Sequence, residues 1–163
     1  VNCVGMLHNN EINPEKSLNT FSPDHFYEIL KVNTVVTPLL AKHFEKLLNK
    51  ENTSAFISLS AKVGSIDDNK MGGWYSYRAS KAALNMIIKN ISIEFNRKKS
   101  NCIVLAVHPG TTNTDLSKPF IANTSYIVHT PEETAHNIFE ILINKNNLDS
   151  GKFLSWNGEE IKW

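Results

Sequence analysis

Cys102-Ile103-Val104-Leu105-Ala106-Val107, closed by the turn His108-Pro109-Gly110, decides the reading of this chain. An apolar run of this length fits one strand and falls short of an ordinary helix. Side chains on a strand alternate between its two faces, so a run apolar at odd and even positions alike is covered on both sides. That is the pattern of a central strand in a parallel sheet between two helical layers.

The chain on either side keeps to this plan. Upstream, about Tyr75 to Arg97 reads as a long helix carrying Ala82, Ala83, Met86, Ile87, Ile91 and Phe95. A loop rich in Gly, Asp and Asn precedes it up to Gly73, and before that Ser54 to Ser60 reads as a strand. An earlier helix opens at Ser22-Pro23, a capping hydroxyl followed by proline at the first helical position. Phe26, Ile29, Leu30, Val36, Leu40, Phe44 and Leu47 give it one apolar face to about Lys50, with Asn33 and Thr37 as polar interruptions. Pro38 is expected to bend or break it. Downstream, Thr130-Pro131-Glu132-Glu133 reads as a capping box opening a helix through Ile138, Ile141 and Leu142. A short strand, Lys152 to Ser155, closes the pattern, and Val1 to Cys3 reads as a strand stub. Alternation of this kind predicts an α/β fold with a doubly wound parallel sheet in three layers. In such sheets ligands bind beyond the carboxyl ends of the strands, here after Ser60 and after Val107.

Composition narrows the function classes. The chain has 163 residues, 41% hydrophobic and 20% charged, which suits a single domain over 1–163 with a sizeable core. Its net charge of +1 gives no polyanion-binding signature, so no nucleic-acid partner is expected. No apolar run approaches the roughly 20 residues of a membrane span. Two cysteines, Cys3 and Cys102, make no disulfide framework and point to a reducing, cytoplasmic setting. The six histidines show no metal-ligand spacing, and the Gly-x-Ser-x-Gly elbow of a serine hydrolase is missing.

The chemistry gathers at the expected ligand side. Tyr77 and Lys81 stand four apart at the start of the second long helix, which places them on one face. An ammonium near a tyrosine hydroxyl favours the phenolate and lowers its pKa, and such a tyrosine can exchange a proton with a substrate oxygen. Asn33 lies on or beside an apolar helix face, where its amide needs buried partners, whether structural or functional. Ser58 and Ser60 end a strand on the ligand side. Pro109-Gly110-Thr111-Thr112-Asn113-Thr114 offers backbone donors and hydroxyls in a turn after the next strand.

In order along the chain, these pieces resemble the short-chain dehydrogenase/reductase family. Asn2-Cys3-Val4-Gly5 stands for its Asn-Asn-Ala-Gly motif, followed by Asn33, the serine strand, Tyr77-x-x-x-Lys81 and Pro109-Gly110-x-x-x-Thr114. The stretch from Ala61 through Ser65-Ile66 to Gly72-Gly73-Trp74-Tyr75-Ser76-Tyr77 is most similar to the C-factor and carbonyl-reductase-like branch. The resemblance implies hydride transfer between NAD or NADP and a small-molecule carbonyl or alcohol on a Rossmann-like domain. Asn33, Ser60, Tyr77 and Lys81 would be the catalytic residues: Tyr77 the general acid or base, Lys81 its partner on the nicotinamide ribose, Asn33 the holder of a relay water. Asn2, Val4, Gly5, Tyr77, Lys81, Pro109, Gly110 and Thr114 would contact the cofactor. Relatives pair through the two long helices, so a homodimer or homotetramer is expected.

Three departures accompany the likeness. The family's substrate-polarising serine falls on Ala61, so Ser60 substitutes only if the strand has ended there, and Ser65 is a weaker stand-in. Cys3 and Val4 replace Asn-Ala. No Gly-x-x-x-Gly-x-Gly phosphate turn occurs, so the sequence is expected to be the carboxyl-terminal portion of the domain, inactive by itself. A non-catalytic relative that senses a dinucleotide or binds a partner is the alternative. The substrate-selecting loop is expected over Asp115 to Val128, with Phe120, Ile121 and Tyr126 lining a pocket.

Overall fold

The computed structural model describes residues 1–48, 52–122 and 125–163. Its elements in order are α1 (Pro23–Leu30), a π-helical turn (Lys31–Val35), α2 (Val36–Phe44), β1 (Ser54–Leu59), α3 (Tyr75–Arg97), β2 (Cys102–His108), β3 (Thr111–Thr112), β4 (Val128–His129), α4 (Pro131–Asn144) and β5 (Phe153–Ser155). The first long helix, expected to reach about Lys50, stops earlier: α2 ends at Phe44, a 3-10 turn follows over Glu45–Leu47, and Leu48 is already extended.

β1, β2 and β5 form a parallel sheet in that order. Ser54 pairs with Cys102 and Leu59 with Val107, while Ala106 pairs with Phe153. Asn2 adds a parallel bridge to Ser58 on the far side of β1, so the amino-terminal segment continues the sheet. β3 and β4 make a separate two-stranded parallel pair, which the sequence reading did not anticipate.

The alternation along β2 divides the core. Cys102, Val104 and Ala106 pack with Phe153 against Ala41 of α2 and Leu84, Ile88, Ile91 and Phe95 of α3. Ile103, Leu105 and Val107 pack with Ile57 and Leu154 against Ile138 and Ile141 of α4. Helices therefore cover both faces, giving the three-layer α/β arrangement expected.

Helix starts follow their local chemistry. The Ser22 side chain accepts from the His25 N–H, with Pro23 opening α1. Thr130 and Glu133 exchange the two hydrogen bonds of a capping box ahead of α4. The first long helix departs from a regular one just ahead of Pro38. A proline donates no N–H to the carbonyl four residues back, here Thr34, and crowds it. The wide π turn spans that position and carries Asn33 and Thr34, both buried. Among the described residues, no helix is long and apolar enough to cross a membrane.

Candidate active site

β1 and β2 both deliver their carboxyl ends to the amino-terminal half of α3. Beyond β1, the segment 62–64 lies flat on that helix. A Cβ on Gly64 would come within 2.7 Å of Lys81 Cβ and 2.9 Å of the Lys81 carbonyl carbon, so only glycine fits. Beyond β2, Gly110 turns the chain at φ +78°, with its Cα facing His129 and Trp156 closely enough to exclude a side chain.

Tyr77 and Lys81 are both buried on one face of α3. The Lys81 ammonium lies 5.7 Å from the centroid of the Tyr77 ring and donates to the Leu59 carbonyl at 3.0 Å. Loss of water dominates the titration of both. Burial pushes the Tyr77 phenol up to about 12 and the Lys81 ammonium down to about 8. The expectation that Lys81 lowers the tyrosine pKa is thus not met in this structure, where burial raises it.

Asn33 comes to the same place from the π turn. Its Nδ2 donates to the Met6 carbonyl at 2.8 Å and to Ser80 Oγ at 2.9 Å, and its Oδ1 accepts from the Met6 N–H at 2.7 Å. Ser80 Oγ in turn donates to the Tyr77 carbonyl at 2.8 Å. A Cβ built on Gly5 would sit 3.4 Å from Lys81 Nζ and 3.6 Å from Asn33 Oδ1, so Gly5, Lys81 and Asn33 meet at one point. Asn2 anchors this segment: its Nδ2 donates to Thr37 Oγ1 and Ser58 Oγ, both at 3.0 Å. Its Oδ1 accepts from the exposed Val4 at 3.1 Å.

Ser60 is placed differently from what the resemblance implies. β1 ends at Leu59, yet Ser60 keeps the strand alternation and turns toward α3, where its Oγ donates to Asn85 Oδ1 at 2.6 Å. Asn85 stands eight residues beyond Tyr77, about 12 Å along the helix. Ser65, the weaker stand-in, is buried and accepts from the Asp68 N–H. Thr114 is exposed and heads a turn in which its carbonyl accepts from Ser117 and Lys118.

Two groups escaped sequence reading. Glu15 is buried; its carboxylate accepts from the Ser76 N–H at 3.2 Å and from Ser76 Oγ, and so caps α3 from a distant segment. Asn85 has a buried Nδ2 with no partner among the described residues. A glutamate in a loop of mixed polarity gives no pattern to find it by, whereas Asn85 continues the Tyr77, Lys81 spacing by one more turn.

The comparisons agree with one another. The family model described as short chain dehydrogenase matches residues 1–125. The 1-hydroxy-2-glutathionyl-2-methyl-3-butene dehydrogenase of Rhodococcus sp. (strain AD45) is 34% identical over 161 residues, covering 98% of this chain and 62% of that protein. The carbonyl reductase Sniffer of D. melanogaster superposes with a TM-score of 0.82 at 25% identity, over 98% of this chain and 63% of that one. An NADPH-bound carbonyl reductase from chicken fatty liver gives 0.80 at 29% identity, over the same shares. The chain thus spans less than two thirds of the length of these relatives.

Proposed function

This chain belongs to the short-chain dehydrogenase family, and from that premise we propose that the protein is an NAD(P)-dependent oxidoreductase acting on a carbonyl or alcohol, with Tyr77 as its acid. The observation that carries this reading is the meeting of Lys81, Asn33 and the Gly5 backbone beside the Tyr77 ring.

The donor set suits a nicotinamide dinucleotide. Lys81 spends one N–H on Leu59 and keeps two for oxygen acceptors such as a ribose diol. Gly5 sets bare backbone against Lys81 and Asn33, in one segment with Asn2 and Val4, and the Pro109-Gly110 turn and Thr114 offer the polar edge for a carboxamide. When bound, the dinucleotide supplies or takes the hydride. Tyr77, protonated at neutral pH because burial holds its pKa near 12, is in the right state to give its proton to an oxygen gaining negative charge. Lys81 stabilises the phenolate left behind. Both Nδ2 hydrogens of Asn33 are in use, so its part in a proton relay falls to Oδ1 or to the backbone of the π turn. Ser60, tied to Asn85, holds α3 to β1 rather than polarising substrate.

Apolar side chains exposed on α2 and α3 (Val35 just before α2, Leu39, Met86 and Ile93) support pairing of two copies through these helices. The free Cys3 and Cys102 support a reducing, cytoplasmic setting.

The test is Tyr77→Phe in the full-length protein. NAD(P)H-dependent reduction of aldehydes and ketones is expected to fall by roughly 10²- to 10⁴-fold with the fold intact. Unchanged turnover removes Tyr77 from the mechanism. One observation favours a second reading, a dinucleotide-binding relative without turnover: Ala61 stands at the serine position and Ser60 is committed elsewhere. Cofactor binding without reduction of any member of the panel selects it.

A further inference from the structure

Tyr77 ends a chain of rings. The Trp74 indole meets it edge-on with centroids 6.1 Å apart, and meets Phe120 at 5.1 Å. Phe120 meets His8 at 5.6 Å, and the His8 Nε2–H donates to the Leu116 carbonyl at 3.0 Å. Three separate segments supply these rings: the one after the Asn2 bridge, the one between β1 and α3, and the one after β3. All follow strand ends on the ligand side of the sheet. Trp74, Phe120 and His8 are each only half-buried, so part of each ring stays open to a ligand.

The backbone at Trp74 is the second observation. It stands at φ 51° and ψ 45°, in the left-handed region that favours glycine, directly after Gly72 and Gly73 with φ +65° and +66°. A third glycine would make this turn without strain. Instead a tryptophan occupies the position, its backbone N–H donating to the Glu15 carbonyl and its backbone carbonyl accepting from the Arg78 N–H. A bulky residue held where glycine is easier marks a side chain that the site uses.

We propose that Trp74, with Phe120 and His8, forms the substrate-recognising wall beside Tyr77 and selects carbonyl compounds carrying an aryl group. The proposal rests on the reading of Tyr77 as the acid. Edge-to-face contacts among these rings leave a further ring the same mode of packing. With the His8 Nε2–H spent on the Leu116 carbonyl, what these residues offer a substrate is mainly ring face and edge, which suits an aryl group.

The experiment compares wild-type full-length protein with Trp74→Gly, a change the backbone already favours, and with Phe120→Leu, which keeps apolar bulk and loses the ring. Reduction of 4-nitrobenzaldehyde and of propanal is measured, and acetophenone binding is followed by saturation-transfer NMR. The aryl-to-alkyl ratio of kcat/KM is expected to drop about 10- to 100-fold in Trp74→Gly, through KM, and less in Phe120→Leu. A ratio within two-fold of wild type in both variants overturns the proposal. If the wild type reduces neither aldehyde yet binds acetophenone, and Trp74→Gly does not, the wall stands and the acid assignment falls. Acetophenone bound equally by all three proteins overturns the wall whatever the turnover.

Discussion

The two faces of the sheet are built from the same strands and differ in chemistry. Toward α4, Ile57, Ile103, Leu105, Val107 and Leu154 meet Ile138 and Ile141 in an apolar cluster, with the buried Thr134 of α4 bonded apart from it to Thr112. Toward α1–α3, the apolar cluster around Ile88 and Val104 gives way near the strand ends to Asn2, Asn33, Thr37, Ser58, Ser60, Ser80, Lys81 and Asn85, all buried. Apolar packing rewards volume and tolerates many shapes, whereas a buried hydrogen-bonded set accepts one arrangement. The division places stability on one face and position on the other, and the positioned face is the one that holds Tyr77.

The largest expected effect comes from the apolar face. Leu105 is almost fully buried at its centre. Leu105→Ala is expected to lower stability by about 2–5 kcal/mol, through lost transfer energy and the cavity left behind. Denaturant unfolding checks it: the midpoint falls with little change in slope. Because the substitution removes no titratable group, the variant is expected to shift stability at every pH alike.

The polar face supplies the pH dependence. Lys81 has an ordinary pKa of 10.5 when unfolded and about 8 when folded. Between those values the unfolded chain binds the extra proton, so stability rises with pH across that window, by up to about 3 kcal/mol. Tyr77 acts with the opposite sign. Its pKa goes from 10.0 to about 12 on folding, so the folded state holds the proton and stability is lost as pH climbs through that range. The combined curve is expected to peak at about pH 10. Lys81→Met removes the rising limb, and a slope over pH 8–10 that survives this substitution assigns the effect elsewhere.

The same division explains what the sequence made legible. The apolar face was readable because it repeats: β2 is apolar from Cys102 to Val107, and α4 announces itself by Thr130, Pro131 and Glu133. Tyr77 and Lys81 were readable as a spacing on a helix whose observed limits match the expected ones. What escaped depends on contacts between distant segments. The partners of Asn33 are Met6 and Ser80, and Glu15 reaches Ser76, separations that no local pattern encodes. Likewise, the outcome for Ser60 turned on which way one side chain leaves a strand end, and the raised pKa of Tyr77 on how much water its neighbours exclude.

The smallest expected effect is also the sharpest on position. Asn33→Ala leaves the Met6 N–H and carbonyl without their partner and frees Ser80 Oγ of one, at a cost of about 1–3 kcal/mol. Since Ser80 also donates to the Tyr77 carbonyl, the loss does not stay local. Ser80→Ala removes the other end of the same link, so the two substitutions share an interaction and their costs are expected to add to more than that of the double variant, by about 0.5 kcal/mol or more. A double-mutant cycle measured by chemical unfolding checks this. Strict additivity means that Asn33 holds only the Met6 segment, and that the path from the π turn to Tyr77 through Ser80 carries no energy. A non-additive cycle ties the π turn to the tyrosine through a single serine, while the same cycle run on Leu105 and Asn33, on opposite faces of the sheet, is expected to add.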